Sequence, residues 1–326
     1  MRGSAMRGSA EPEGLYPATQ AAGTETEIQR APFAALHVLL LAAHPDDEIL
    51  GAGGQFATMR RLTLVHLTDG ASSHREAWSR GWWSRGYYAA ARLREAADAA
   101  RTGGTEFEHS CLGARDRVAA ETMAELAVGL AMVLRRCRPD LLLTHAYEGG
   151  HADHDAAAFV AHAACRLVPG IPVWEMTGYR AAQAGTPDEK TAAGHVGKAP
   201  AETGRFLPAK QSGEIRVDLD PDATDRKQRM LACFTSQRRA ITELEKDLSV
   251  ERFRPTPGYD FAQPPHEGTL LYEQQSWARM TGAQWRCLAA AAAATIDLME
   301  PGARMLTVAA KEPEGTTETG TPCPGR

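Results

Sequence analysis

The sequence lacks long uninterrupted apolar runs. Nowhere in the 326 residues do about 18 apolar residues follow one another, the length that a membrane-spanning helix needs. The N-terminal segment contains arginines, but no apolar stretch with a small-residue cleavage site follows them, as a secretory signal would require. We therefore expect neither a membrane span nor a signal peptide.

The sequence also has no excess of basic residues. It contains 41 acidic and 36 basic side chains and has a formal net charge of -5. Because no overall positive field would attract phosphate groups, nucleic acid is not an expected partner. The apolar fraction of 43% and the charged fraction of 24% are typical of a soluble globular protein. The length fits one large domain or two small ones.

Paired cysteines are absent as well. The six cysteines are scattered along the chain, and no two of them form a C-x-x-C pair. This distribution argues against a thiolate metal site and favours reduced thiols. We therefore expect a protein of the reducing cytoplasm.

Both ends of the chain have little apolar patterning. Residues 1–32 repeat the string MRGSA and are rich in Gly, Ala, Thr and Glu, and residues 306–326 have a similar composition. These compositions predict a disordered leader and tail around one folded domain at residues 33–305. Within that domain, the Gly-, Ala- and Pro-rich residues 179–212 predict a long loop or insertion.

Short apolar runs alternate with helical patterns in the rest of the chain. The predicted strands lie at residues 35–43, 62–68, 139–145, 171–178 and 214–219. The predicted helices lie at residues 48–60, 88–101, 117–137, 153–167, 223–237 and 283–299, and a Pro-rich turn region at 252–265. Near-continuous apolar strands that alternate with helices predict a mostly parallel sheet covered on both faces. The expected fold class is α/β, doubly wound and Rossmann-like.

The first predicted strand ends in a histidine and three acids, and a glycine-rich turn follows. In a dinucleotide-binding loop the glycines come first, so that backbone amides meet the pyrophosphate, whereas acids at that place repel phosphate. His44 and Asp47 can instead converge at the carboxyl end of the strand, where an imidazole and a carboxylate suit a divalent metal. Helix capping by Asp46 and Asp47 explains the same residues without a metal.

A second polar cluster follows the strand predicted at 139–145. It contains His145, His151, Asp153, His154 and Asp155. Two histidines and one carboxylate drawn from two strand ends would leave open coordination positions, as in catalytic metal sites. The spacing alone leaves open which of these histidines are ligands.

Several further motifs occur together with these two clusters. They are AHPDDE at 43–48 with its trailing GAGG, LTDG at 67–70, R-x-x-E at Arg92 and Glu95, H-x-D-H at 151–154 and, more loosely, KQRMLACFTSQ at 227–237. With this set the chain resembles the PIG-L or LmbE-like N-acetylglucosamine de-N-acetylases over roughly residues 36–237. The resemblance implies a metal-dependent amidohydrolase that removes acetyl from an N-acetylated amino sugar carried on a larger conjugate.

The resemblance also implies which residues hold the metal. The metal ligands fall on His44, Asp47 and His154, with zinc as the usual metal and Fe²⁺ as the alternative. Asp46 falls on the general base. A divalent metal in such a site lowers the pKa of bound water toward about 7 and polarises an amide carbonyl. Asp46 could then take the proton from the attacking water and pass it to the departing amine.

Four other residues match positions with roles around the metal. His151 falls on the residue that stabilises the oxyanion, and Asp153 on the carboxylate expected to keep His151 protonated. Arg92 and Asp116 fall on positions that hold the sugar.

The chain departs from the family pattern at two places. Ala152 replaces a proline that is frequent between the first histidine and the aspartate of H-x-D-H, which affects the stiffness of the loop and not its chemistry. Some members have a tyrosine just before that histidine, where this chain has Gly149 and Gly150. Tyr147 lies further back, and we assign it no role.

Residues 69–88 concentrate aromatic and arginine side chains. Trp82 and Trp83 could stack on a sugar ring, and neighbouring arginines could bind a phosphate or carboxylate of the substrate. Packing of this segment onto the domain explains the same aromatics.

Two alternatives to a deacetylase use the same residues. A non-catalytic carbohydrate- or partner-binding module would keep the fold without turnover. A ferrous oxygenase would use the same two histidines and one carboxylate, but would need oxygen.

Overall fold

The computed structural model of the protein describes residues 30–73, 81, 84–182, 201–208, 213–244 and 247–309. The predicted disordered leader (1–32) and tail (306–326) lie largely outside the described residues. So do Trp82 and Trp83, and most of the segment predicted as a loop at 179–212.

The strands and helices alternate through the first half of the chain. The strands are β1 (His37–Ala42), β2 (Arg61–Ser72), β3 (Phe107–Asp116), β4 (Leu141–His145), β5 (Val173–Met176), β6 (Tyr179–Ala181), β7 (Ala201–Thr203), β8 (Ile215–Asp218) and β9 (Val250–Pro255). The α-helices are α1 (Asp47–Ala52), α2 (Arg85–Gly103), α3 (Met123–Cys137), α4 (Ala152–Leu167), α5 (Pro221–Ala232), α6 (Arg238–Leu244) and α7 (Gly282–Ala309). Short 3-10 turns cover Gly53–Thr58, Ala119–Thr122, Thr235–Gln237 and Tyr272–Gln274.

Local sequence explains where several helices begin and end. The Ser84 side chain accepts a hydrogen bond from the Tyr87 amide at the start of α2, and Gly104 ends that helix in the left-handed conformation. Asp220 caps α5 by accepting from the Ala223 amide, and Pro221 occupies the first turn, where its missing N–H costs nothing.

The main sheet has seven strands in the order β3-β2-β1-β4-β5-β9-β8. Strands β1 to β5 are parallel to one another, and β9 is antiparallel to both of its neighbours. The predicted mostly parallel α/β fold is therefore confirmed. Because β4 follows β3 in the chain but pairs with β1, the connections after β1 and β4 leave the sheet in opposite directions. The carboxyl ends of these two strands form the crevice where open α/β sheets bind ligands.

Alternate residues of the central strands build two apolar layers. Leu39, Leu41 and Leu142 point toward the layer that α3, α4 and α7 cover. Leu40 and Leu143 point toward the opposite layer, covered by α1, α2 and α5. Each such leucine, fully removed from water, stabilises the fold by roughly 1.5–3 kcal/mol. The two layers hold the β1 and β4 ends rigidly in place.

Two strands of the main sheet differ from the sequence prediction. β3 was not predicted, because it lies at the sheet edge and its polar side chains are only partly buried. The prediction of a turn region from residue 252 is wrong for the residues that complete β9. Their charged side chains are buried in ion pairs formed only in the folded chain: Arg254, for example, bonds Glu175 at 2.9 Å.

The segment predicted as a long loop or insertion contains an antiparallel pair of strands. In this two-stranded sheet, Tyr179 of β6 pairs with Thr203 of β7. The Gly204 amide donates to the Gly178 carbonyl at 3.0 Å.

Among the residues that the structure describes, we find no helix with the length and apolar character that a bilayer crossing requires.

Candidate metal centre

The two polar clusters of the sequence meet at the crevice between β1 and β4. His44 follows the end of β1 by two residues, and His145 is the last residue of β4. His151 directly precedes α4, and His154 lies in the first turn of that helix. The Ala43 amide donates to His145 Nε2 at 3.0 Å and so joins the two strand ends directly.

Asp46 occupies an unusual backbone conformation in the turn before α1. Its φ is 140° and its ψ is -30°, in a region that non-glycine residues rarely adopt. Such a conformation costs on the order of 1–3 kcal/mol and persists only where the surroundings enforce it. Here the Asp46 amide donates to Glu48 Oε2 at 2.9 Å, and Arg92 Nη2 donates to Asp46 Oδ2 at 2.9 Å.

Arg92 ties this turn to β2. Besides Asp46, it donates to the carbonyl oxygens of Pro45 and Gly70, each at 2.7 Å. A Cβ at Gly70 would lie 2.8 Å from the guanidinium, which explains the glycine of LTDG. We predicted Arg92 as a sugar-holding residue, and the structure instead shows it buried against the predicted base.

The three predicted metal ligands lie together and are buried. Asp47 Oδ2 lies 3.1 Å from His44 Nδ1 and 3.2 Å from His154 Nε2. One ligand atom from each residue lies within 4.8 Å of the others. His154 Nε2 is fully buried, and its contact with the Asp47 carboxylate does not have the geometry of a hydrogen bond. A buried imidazole nitrogen without a hydrogen-bond partner, beside a carboxylate and a second imidazole, fits a divalent metal of the zinc type.

A second group of possible ligands lies on the other side of His44. His44 Nε2 is 3.2 Å from Asp116 Oδ1 and 3.1 Å from Asp153 Oδ2, and His151 completes this group. Asp153 is fully buried, and its carboxylate also accepts from the Arg117 amide at 2.6 Å. The structure thus brings Asp116, the last residue of β3, into the same site.

The expectation that Asp153 keeps His151 protonated differs from the structure. The hydrogen-bonded partners of the Asp153 carboxylate are His44 and two backbone amides, whereas the main-chain N–H of Asp153 donates to His151 Nδ1 at 3.1 Å. Burial, aided by the positive charge of His44, lowers the pKa of His151 to about 3. A neutral His151 that accepts at Nδ1 has its proton on Nε2 and can donate from there.

The predicted site residues carry more negative than positive charge. Four of them are carboxylates: Asp46, Asp47, Asp116 and Asp153. Arg92 is the one guanidinium among them, and Arg117 adds a second, 3.7 Å from Asp116. His44, whose pKa is raised, carries a proton that offsets one of the two excess negative charges. A divalent cation that displaced this proton would balance the charges of the site, where unpaired buried charge is costly.

The ionisation of these groups reflects the same excess. Burial, opposed by Arg92 and aided by Asp47, raises the pKa of Asp46 to about 7. Burial also disfavours the charge of Asp47, but His154 and His145 hold its pKa well below the usual value. For His44, hydrogen bonds that its ring donates to Asp116, Asp153 and Asp47 outweigh burial and raise its pKa well above the usual value.

Sequence reasoning missed two aromatic residues of the site. The Tyr179 ring lies 5.0 Å from the His154 ring, and the Trp277 ring lies 5.0 Å from the His151 ring. Arg117 lies over Trp277, 4.6 Å from its centroid. Tyr179 belongs to the segment predicted as a loop, and nothing local in the sequence near Trp277 signals a site.

Gly150 explains how Tyr179 reaches this position. A Cβ at Gly150 would lie only 1.7 Å from the Tyr179 carbonyl oxygen, so the two backbones touch there. The Gly149–Gly150 pair was the signal in the sequence, since such close approach of two backbones requires glycine.

Comparison with known families places the two clusters in one domain. Residues 39–165 match the family model described as PIG-L, GlcNAc-PI de-N-acetylase. This segment is a PIG-L domain. The match confirms the resemblance predicted from the motifs, and the PIG-L domain contains all the predicted catalytic and metal-ligating residues. No curated protein matches the sequence.

Several solved structures are similar to this chain at low identity. A teicoplanin deacetylase in its zinc-inhibited form is 16% identical, with a TM-score of 0.47, over 67% of this chain and 97% of that one. An N,N'-diacetylchitobiose deacetylase from Pyrococcus horikoshii is 19% identical, with a TM-score of 0.47, over 71% of this chain and 87% of that one. A 4-carboxy-2-hydroxymuconate hydratase from Pseudomonas putida is 17% identical, with a TM-score of 0.43, over 69% and 97%. Similarity at this level does not determine the reaction.

Proposed function

We propose that the protein is a zinc-dependent deacetylase. It would hydrolyse the N-acetyl amide of an N-acetylglucosamine-type sugar carried on a larger conjugate, and release acetate and a free amine. The observation that carries this proposal is the buried His44, Asp47 and His154 group inside the PIG-L domain, with an unpartnered imidazole nitrogen and an excess of negative charge. A cytoplasmic location is part of the proposal, since the scattered cysteines suit a reducing compartment.

His44, Asp47 and His154 would hold the metal. Zinc suits two imidazoles and one carboxylate, and Fe²⁺ is the alternative. Such a metal, when bound, supplies a water molecule of lowered pKa and polarises the amide carbonyl.

Asp46 is the general base in this proposal. Its carboxylate is fixed by Arg92 beside Asp47 but is not one of the three ligand side chains, so it can accept a proton from the attacking water. Its pKa of about 7 lies near neutral pH, where a carboxyl group can both take up and release a proton. The same carboxyl group can then return the proton to the departing amine nitrogen.

His151 stabilises the oxygen of the carbonyl as it gains negative charge. Its Nδ1 accepts from the Asp153 amide, which leaves the Nε2–H to donate. Removal of one such donor typically reduces the rate about 100- to 1000-fold. Asp116, 3.2 Å from His44 and partly exposed, is the better placed of the two predicted sugar-holding residues.

The test is acetate release from N,N'-diacetylchitobiose and from an acetylglucosaminyl conjugate. We expect chelation to stop release and added zinc to restore it. Asp46→Asn should reduce kcat about 1000-fold, while zinc still binds in a one-to-one ratio. Asp140→Asn, which changes a carboxylate at the opposite end of the sheet, is the matched control and should keep wild-type kcat.

Two results would contradict this proposal. Full activity of the chelated protein would exclude a metal-dependent reaction, and near-full activity of Asp46→Asn would exclude Asp46 as the base. Turnover that requires oxygen would identify a ferrous oxygenase instead.

A further inference from the structure

Three titratable side chains beneath the Asp46 turn have no part in the reaction described so far. Glu48 and His66 are fully buried, and His109 is partly buried on the edge strand β3. His66 Nε2 lies 3.0 Å from Glu48 Oε2, and His66 Nδ1 lies 2.9 Å from His109 Nε2. The same Glu48 oxygen accepts the Asp46 amide at 2.9 Å.

The donors at the inner end of this chain of hydrogen bonds follow from Glu48. A carboxylate oxygen only accepts, so Asp46 N–H and His66 Nε2–H both donate to Glu48. Between His66 Nδ1 and His109 Nε2, one nitrogen donates and the other accepts. Burial, with the nearby His66, lowers the pKa of His109 to about 4, so the His109 ring is neutral near neutral pH.

The sheet anchors this chain of hydrogen bonds. His66 lies on β2, opposite Ala42 of β1 on one side and Cys111 of β3 on the other. Its side chain is therefore fixed by strands on both sides. Glu48, the second residue of α1, depends on His66 for its position, and the Asp46 amide depends on Glu48.

We propose that Glu48, His66 and His109 are positioning residues that hold Asp46 in its left-handed backbone conformation. Arg92 fixes the Asp46 carboxylate from one side, and the chain of hydrogen bonds fixes its backbone from the other. Without these hydrogen bonds the turn at Asp46 relaxes toward ordinary backbone angles, and the Asp46 carboxylate moves away from the reacting water. The inference rests on the proposed function, in which Asp46 is the general base.

The experiment compares two substitutions at His66 in the zinc-loaded protein. His66→Phe removes the donor to Glu48 and should lower kcat about 100-fold, the cost of misplacing a catalytic group by about 1 Å. His66→Gln keeps an N–H that can reach Glu48, and should stay within about tenfold of wild type, the value of one hydrogen bond. The KM for the substrate and the zinc stoichiometry should change little in either variant.

His37 provides a matched control. It is equally buried between β1 and β2, but at the opposite end of the strands, where its Nε2 bonds Thr63 Oγ1 at 2.9 Å. His37→Phe should lower the thermal unfolding midpoint as His66→Phe does, yet leave kcat at the wild-type value. Should His66→Phe not fold, His109→Phe tests the chain from its outer end, and a kcat within twofold of wild type there would overturn the proposal.

The outcomes separate this inference from the proposed function. If the wild-type protein releases acetate and His66→Phe matches its kcat, the positioning role is wrong and the deacetylase proposal stands. A loss in His66→Gln as large as that in His66→Phe, or an equal loss in His37→Phe, also overturns the positioning role. If the zinc-loaded wild-type protein releases no acetate, both proposals fail together.

Discussion

Two buried clusters of charged residues, one around Glu251 of β9 and one around Asp47 at the crevice between β1 and β4, differ in how their charges are paired. Around Glu251, the Lys227 ammonium bonds Glu251 Oε1 at 2.7 Å and the Leu50 carbonyl at 2.9 Å. The Gly54 amide and the Gln55 amide group donate to the two Glu251 oxygens. Around Asp47, carboxylates outnumber guanidinium groups, and His154 Nε2 has no hydrogen bond within the described residues.

This difference distinguishes the structural ion pair at Glu251 from the Asp47 cluster, which can bind a cation. A buried pair with all its partners joins α5 to β9, and removing one partner is costly because the other charge is left alone. A buried cluster with excess negative charge destabilises the folded protein, and the binding of a cation there raises the stability of the fold. A comparison of charge pairing between the two clusters therefore indicates which cluster is structural and which can bind a cation.

The largest expected effect comes from removing a ligand of the Asp47 cluster. Asp47→Asn should lower kcat about 1000-fold, since the several kcal/mol that a metal supplies correspond to that ratio. Because the Asp47 carboxylate accepts from the His44 amide, and neighbouring imidazoles hold its pKa well below the usual value, the metal-free variant should also be less stable than wild type. Isothermal titration with zinc and urea denaturation after chelation measure zinc binding and stability. Zinc binding at wild-type affinity in the variant would contradict the assignment of Asp47 as a ligand.

At the Glu251 cluster a substitution is expected to change stability and leave kcat unchanged. Lys227→Met should destabilise the fold by about 3–5 kcal/mol, because Glu251 stays buried without its cation. The kcat of the folded fraction should not change. In the double variant with Glu251→Gln, much of the lost stability should return, which a double-mutant cycle by urea denaturation would measure. A variant with wild-type stability would show that the pair is not needed.

A smaller, pH-dependent effect is expected at Glu148. Burial, opposed by the Leu207 amide and Arg254, raises its pKa from 4.5 to about 7. A raised carboxyl pKa means that its stability contribution is complete below pH 4.5 and is lost as the pH rises through about 7. Glu148→Gln should therefore be more stable than wild type at pH 8 by on the order of 1–3 kcal/mol.

Urea denaturation between pH 4.5 and pH 8 checks this prediction, with 4.5 being the ordinary pKa of the group. The wild-type protein and the Glu148→Gln variant should agree at the acid end and diverge toward the alkaline end. Equal slopes of stability against pH would show that Glu148 titrates normally.

The fold class and the core of the site followed from the sequence. The central strands are long apolar runs, so periodicity located β1, β2 and β4 within a few residues. The carboxyl ends of parallel strands meet at one edge, so the two polar clusters were expected to converge. The resemblance singled out His44 and His154 among their histidines, and the structure brings these two together. The roles of these residues remain predictions.

The rest depended on contacts distant in sequence. β9 has charged residues that are buried only because Glu175 and Lys227 pair with them, and single-sequence patterns show no such pairing. Tyr179 reaches His154 through a strand pair within a Gly-rich segment. The backbone bonds of Asp153 that leave His151 neutral are also a property of the folded loop.

The contact between Gly150 and the Tyr179 carbonyl has a consequence for how the site can vary. Even a methyl group at position 150 would collide with the backbone of β6, so the loop before His151 and the strand that carries Tyr179 can change only together. To enlarge the site on this side, the loop before His151 and β6 would have to change together, although they are distant in sequence. Beside His151, Trp277 and Arg117 contact each other through their side chains, and this part of the site can be reshaped one substitution at a time.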